Sequence, residues 1–161
     1  MLTTAQLTTL AAAIRADTDP NVVAALSIRN DVLLAELYNA DSTFIVWKTS
    51  IKPIEYREAI VWTEVDNAAM TVGKARIWEW LTEQMTANID ASKTNVRQGI
   101  ADCWASNTTT RTNLLNIAKR AATKAEKLFA TGTGTTATPG VLGWEGMVTY
   151  TDVGIALGAN P

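Results

Sequence analysis

Apolar residues recur at helical spacing from the first turns of the chain. Leu7, Leu10, Ala11 and Ile14 follow the i, i+3, i+4, i+7 rule that lines one face of a helix. Thr3 and Gln6 stand before them at the spacing of a capping box, in which two side chains satisfy free amides at a helix start. Asp19-Pro20 supplies a second start, with Asp as cap and Pro already at a helical φ, and Val22, Val23 and Leu26 form the apolar side. Asn30 or Asp31 opens a third helix carrying Val32, Leu33, Leu34, Leu37 and Tyr38. The pattern predicts a compact N-terminal layer of three short helices.

The next stretch, 43–65, is mixed. Phe44, Ile45, Val46 and Trp47 read as a strand or a buried extended segment. Pro53 with Glu55 and Glu58 resembles a helix first turn, where carboxylates complement the dipole. Helical spacing returns at Val72: Ile77, Trp78, Leu81 and Met85 share one face, leaving Lys74, Arg76, Glu79 and Glu83 for solvent. Ser92 is placed to cap the following helix, whose apolar side is Val96, Ile100, Cys103 and Trp104. The longest predicted helix covers 110–129, with a stripe of Leu114, Leu115, Ala118, Ala121, Ala122, Ala125, Leu128 and Phe129.

After Ala130 the pattern breaks. Thr131 to Gly140 has no apolar period and reads as a flexible or extended connector. Val141, Leu142, Trp144, Met147, Val148 and Tyr150 then suggest a hairpin or lone strand, and Thr151 or Asp152 a cap for a last turn holding Val153, Ile155 and Leu157. The expected fold class is mainly α. A helical bundle with a short extended segment occupies 1–130, and a Thr/Gly-rich connector with a C-terminal extended or β-hairpin docking arm occupies 131–161. A lone hairpin is marginal in water, so the arm needs a surface on its own body or on a neighbour. On this division, removing 131–161 leaves a folded helical monomer.

Composition narrows the chemistry. The 161 residues are 47% hydrophobic and 19% charged, which supplies a core and argues against disorder. A net charge of −2 excludes a globally cationic nucleic-acid binder. No apolar run is long enough to span a bilayer, and the N-terminus lacks a signal-peptide pattern, so a soluble protein made in the cytoplasm is expected. The chain has no histidine and one cysteine, which removes His-based catalysis and any multi-cysteine metal set. Cys103 lies on an apolar helix face and reads as a small buried hydrophobe. Val72-Gly73-Lys74-Ala75 lacks the first glycine and the Ser or Thr of a phosphate loop. Thr131 to Thr136 holds Gly-x-Gly after a helix rather than a strand. Glu55 and Glu58 form the best carboxylate pair, fully explained by a helix first turn. No enzyme activity, cofactor, metal or catalytic residue is expected.

Two residue sets remain. Arg111, Lys119, Arg120, Lys124 and Lys127 lie on the predicted 110–129 helix against Glu126. They form either a solvated face or a strip facing a partner or DNA phosphates. Of the six tryptophans, Trp62 and Trp104 are expected in the core. Trp78 and Trp80, two apart on a helix, cannot share the centre of one face, so Trp80 is assigned to a subunit contact.

The segments Val72 to Trp80 and Ala125 to Thr135, with Pro139 and Glu145-Gly146, resemble a family of small virion structural proteins of tailed bacteriophages. The opening from Met1 to Ile14, Tyr38-Asn39-Ala40 and Val46 to Ser50 share the resemblance, which touches most of the chain. It implies a particle component located in the virion and made in the host cytoplasm. With the helical plan it implies a head–tail connector (adaptor) at the neck: a dodecameric ring between the portal protein and the tail or a second neck protein, with non-specific contact to passing DNA. Trp144, Met147, Val148 and Tyr150 are then the expected docking contacts, and the basic set a partner or lumen surface. A capsid decoration or minor head protein, and a DNA-binding accessory protein, are the alternatives.

Overall fold

The computed structural model describes residues 1–65, 70–83 and 88–158, with backbone alone for 80–83. Helix accounts for 53% and strand for 13%, the strands in two small antiparallel sheets. The class is therefore mixed α/β with a helical majority, and the expectation of a mainly α bundle is corrected. The chain divides into two compact units, each around its own apolar core. Unit 1 is discontinuous, Met1–Ile45 with Ala121–Pro161, and unit 2 is Val46–Arg120. The boundary falls elsewhere than the expected 1–130 and 131–161.

Unit 1 opens with the three predicted helices, α1 (Thr4–Ala16), α2 (Pro20–Ser27) and α3 (Asp31–Asn39). Their caps are those legible in the chain. Thr3 and Gln6 make the reciprocal capping box, Asp19 accepts from the Asn21 amide at 3.0 Å, and Asn30 accepts from the Leu33 amide at 3.0 Å. Leu10, Ile14, Val22, Leu34 and Tyr38 turn inward. Val23, Val32 and Leu33, assigned to the same faces by spacing, are exposed.

Strand β1 (Asp41–Trp47) follows and pairs with β2 (Lys119–Thr123). The predicted helix over 110–129 is thereby corrected. It is α7 (Thr109–Ile117), β2 and α8 (Lys124–Leu128) in succession. The Ala-rich middle satisfies its backbone against β1, so tertiary pairing overrides helix propensity. Thr123 and Glu126 then restart helix with a second capping box.

The C-terminal segment is part of unit 1, not an arm. Short strands β3 (Ala130–Thr131) and β4 (Val141–Leu142) pair antiparallel, Ala130 opposite Leu142, and the Thr/Gly segment loops between them. That loop is clamped rather than free. The Ile45 N–H donates to Gly134 O at 2.7 Å, and the Gly140 N–H donates to Ile45 O at 2.8 Å. The Phe44 ring fills the space beside both glycines. A Cβ at Gly134 would clash with the ring, and one at Gly140 would clash with it and also lie 2.8 Å from Thr131 O. Gly134 has a φ of +66°, which glycine adopts without cost.

Beyond the loop, Asn39 exchanges two 2.8 Å hydrogen bonds with the Val148 backbone, as a strand partner would. The N-cap of helix α9 (Tyr150–Ala156) is Thr149, with Asp152 at the third helical position completing its capping box, whereas Thr151 or Asp152 was the expected cap. It buries Val153 against the N-terminal helices. Removing 131–161 would strip Val148, Val153 and Leu157 from this core, so the expected folded truncation is also corrected.

Unit 2 is built from α4 (Pro53–Glu58), a 3-10 turn at Trp62–Glu64, α5 (Val72–Glu83), α6 (Thr94–Cys103) and α7. An antiparallel bridge joins Ile51 to Ile89. The Glu64 carboxylate accepts from the Thr109 and Thr110 amides, both at 2.8 Å, and so caps α7 from a distant segment. Hydrogen bonds from Thr110, then Thr109, hold it below the usual carboxylate range. Ser92 does not cap α6; the N-cap position is Lys93, without a side-chain bond.

Two stability tests follow from unit 1. Gly134→Ala should cost about 1–3 kcal/mol by overpacking and strained φ. In urea unfolding, the Gly134→Ala/Phe44→Ala double variant should lose less than the sum of the singles, because the clash is gone. Asp152 supplies the second test. Burial raises its pKa, but the Thr149 hydroxyl (2.7 Å) and amide (3.0 Å) and the Leu2 amide (3.2 Å) outweigh that and lower it. A depressed folded-state pKa gives stability that is present above the ordinary carboxylate range and lost as pH falls through the folded value. The stability gap between the native chain and Asp152→Asn should therefore be widest near neutrality and close on acidification.

Candidate assembly surface

Most of the large exposed apolar side chains of unit 2 gather around α5. Along this helix only Lys74 and Trp78, one turn apart, are even half-buried among residues 72–79. Trp78 meets Trp104 edge-on at 5.6 Å between centroids and Tyr56 at 6.3 Å. The Cys103 Sγ–H donates to Lys74 O at 3.5 Å, and burial pushes that thiol up to about 11. Cys103 thus packs as the expected buried hydrophobe.

The opposite face of α5 is left to water: Val72 is 73% exposed, with Arg76 one turn on. Ile77, expected inside, is exposed as well, because the inward direction runs through 74 and 78. Beside α5 an open cleft of about 510 Å³ is walled by Ile60, Trp62, Val65, Met70, Trp78 and Trp104, with Ala75, Arg57 and Glu79 completing its lining. Trp62 is 65% exposed, which corrects its assignment to the core, whereas Trp104 is buried as expected. A concave apolar wall with a few charges at its rim has the character of a binding surface. Trp104 Nε1 and the Tyr56 hydroxyl have no hydrogen-bond partner among the described residues. Both atoms are buried from solvent.

A second hollow of about 500 Å³ is polar and carries both signs of charge, Lys48 and Lys119 against Glu55 and Glu58. Lys48 lies 3.9 Å from Glu55. Among the described residues no three His, Cys, Asp or Glu side chains converge as a metal set, and no helix is long and apolar enough to cross a membrane.

The expected site residues are dispersed. In unit 1, Trp144 packs edge-on against Phe129 at 5.6 Å and Val148 is buried, while Met147 and Tyr150 are 72% and 63% exposed. The side chain of Trp80, on α5, lies outside the described residues. Loss of the long helix also dissolves the single basic face. Arg111, on α7, donates to Trp104 O at 3.3 Å. Lys119 and Arg120 are on β2, and Lys119 sits over Trp47, which Arg97 also covers at 4.7 Å. Lys124 bonds Asp19 at 2.9 Å and lies 3.7 Å from Asp17, a pairing that raises its pKa and lowers that of Asp19. Lys127 is exposed on α8. Glu126, counted against these cations, is buried and accepts from the Thr123 amide at 3.0 Å and the Gly146 amide at 3.4 Å.

Compared with known protein families, with curated proteins and with solved structures, the chain finds no match. The two cleft tryptophans should behave oppositely in thermal unfolding. Trp78→Ala removes two aromatic contacts and should cost about 2 kcal/mol. Trp62→Ala should stay within about 0.5 kcal/mol of the native chain, as an exposed position does.

Proposed function

We propose that this chain is a structural subunit of a tailed-phage particle, forming a ring at the neck that joins the portal protein to the tail and lets DNA pass. The observation that carries the reading is the amount of large apolar surface the single chain leaves in water. Trp62 lines the open cleft of unit 2 and Val72 stands on the exposed face of α5; Val23, Ile28 and Val32 stand along the α2–α3 corner, and Met147 and Tyr150 near α9. Monomers seldom expose grouped apolar residues, and such groups mark protein–protein contact. The resemblance of Val72 to Trp80 and Ala125 to Thr135 to phage virion proteins supplies the setting. Portal and second neck protein are the partners this role requires, and the sign of unit 2, ten Lys and Arg against eight Asp and Glu, suits a surface near DNA.

Cryo-electron microscopy of purified particles tests the assignment. A ring of density between portal and tail, fitted by this fold, is the expected result. Density spread over the shell would make the chain a decoration or minor head protein. Absence from the particle, with salt-dependent DNA binding by the isolated chain, would replace the assignment by an accessory DNA-binding role.

A further inference from the structure

Unit 1 and unit 2 differ in charge. Unit 1 carries four Lys and Arg against eight Asp and Glu, a net −4, and unit 2 has a net +2. Each also displays apolar surface of opposite shape. On unit 2 it is the concave cleft walled by Trp62, Trp78 and Trp104, with Arg57 and Glu79 as the charged residues among its described lining.

On unit 1 it is the convex corner between α2 and α3. Ile28, at its tip, is 72% exposed, with Val23 behind it and Val32 and Leu33 beyond. Glu36 stands exposed one helical turn after Val32, and Asp31 and Arg29 form a surface pair at 3.2 Å. The corner is held in shape at a cost. Asn30 N–H closes back onto Ala25 O at 2.9 Å, and Arg29 takes a φ of +55°, where helix ends ordinarily place glycine. Arg29 is the one non-glycine residue with positive φ among those described.

We infer that the cleft of unit 2 receives the Ile28 corner of a second copy of this chain, an apolar knob in an apolar hole with Glu36 of one copy facing Arg57 in the cleft lining of the other. The inference deepens the assembly role proposed above and rests on it. Because knob and hole are different surfaces, the contact is head-to-tail. Such a contact propagates, into a ring where its rotation closes and into a filament where it does not.

Sedimentation velocity on the purified full chain, at low and at high salt, reads the contact. The native chain should form oligomers that weaken with salt, since the charges lie at the rim. Ile28→Asp and Trp62→Ala should each be monomeric. Mixed together they should form a one-to-one dimer and nothing larger, because one intact knob meets one intact hole. Glu36→Lys should weaken association about tenfold, and adding Arg57→Glu should recover most of that loss. Circular dichroism should show all variants folded, as every altered side chain is exposed. A native chain that stays monomeric at low salt overturns the inference. So does an oligomer indifferent to Ile28→Asp, or a mixture that gives no dimer. None of these results would remove neck density from a particle. Conversely, absence from the particle would remove the proposed role while leaving a salt-sensitive, mixable oligomer intact.

Discussion

The core of unit 1 is closed by residues that the chain supplies last. Val148, Val153 and Leu157 pack among Leu10, Ile14 and Leu34, and Asn39 locks the entry of this segment by bonding both sides of the Val148 backbone, 109 residues away in sequence. Three amphipathic helices of 8–13 residues do not bury their own faces. Without the returning segment, α1 and α3 would present their inner sides to water, at about 25 cal/mol for each Å² of apolar area. The buried carboxylates follow from the same requirement. Glu126 and Asp152 each cap a short helix and also reach out to another part of the unit, so that turns too short to stand alone are fixed in place.

What was legible in the chain is local. Thr3 with Gln6, Asp19-Pro20 and Asn30 or Asp31 announce helix starts because a cap needs only a few neighbouring residues; the first two act as read, and Asn30 is the cap of the third. Phe44 to Trp47, whose β-branched and aromatic content reads as a strand or a buried extended segment, lies within strand β1. What failed depends on distant contacts. Nothing within Lys119–Thr123 says that it will pair with β1, yet Ser42 Oγ donates to Ala122 O across 80 residues. The Thr/Gly segment looks like a free linker until Phe44 is seen beside its glycines. Each miss turned a remote partner into a local pattern.

The candidate surface shows the same limit in another form. Tryptophan content pointed to contact surfaces, but composition does not say which tryptophan faces out. Trp62 was assigned to the core and stands in water; Trp104 was assigned to the core and is there. Periodicity placed Val23, Val32 and Ile77 inside because it treats every apolar residue on a stripe as buried. An interface residue carries the same apolar pattern as a core residue, and only the fold separates them. The basic residues were misgrouped for a different reason: one helix was assumed where the chain has two helices and a strand.

Unit 2 is an insertion. The chain enters it through β1 and leaves it through β2, and those two strands pair with each other. This has a consequence for synthesis on the ribosome. The first forty-five residues emerge early but lack the partners that complete their core, whereas unit 2 contains all of its own core residues in one continuous stretch. Domains fold as units while the nascent chain lengthens. Unit 2 is therefore able to reach its native structure while residues 1–45 wait, and unit 1 is completed only by the segment that follows unit 2.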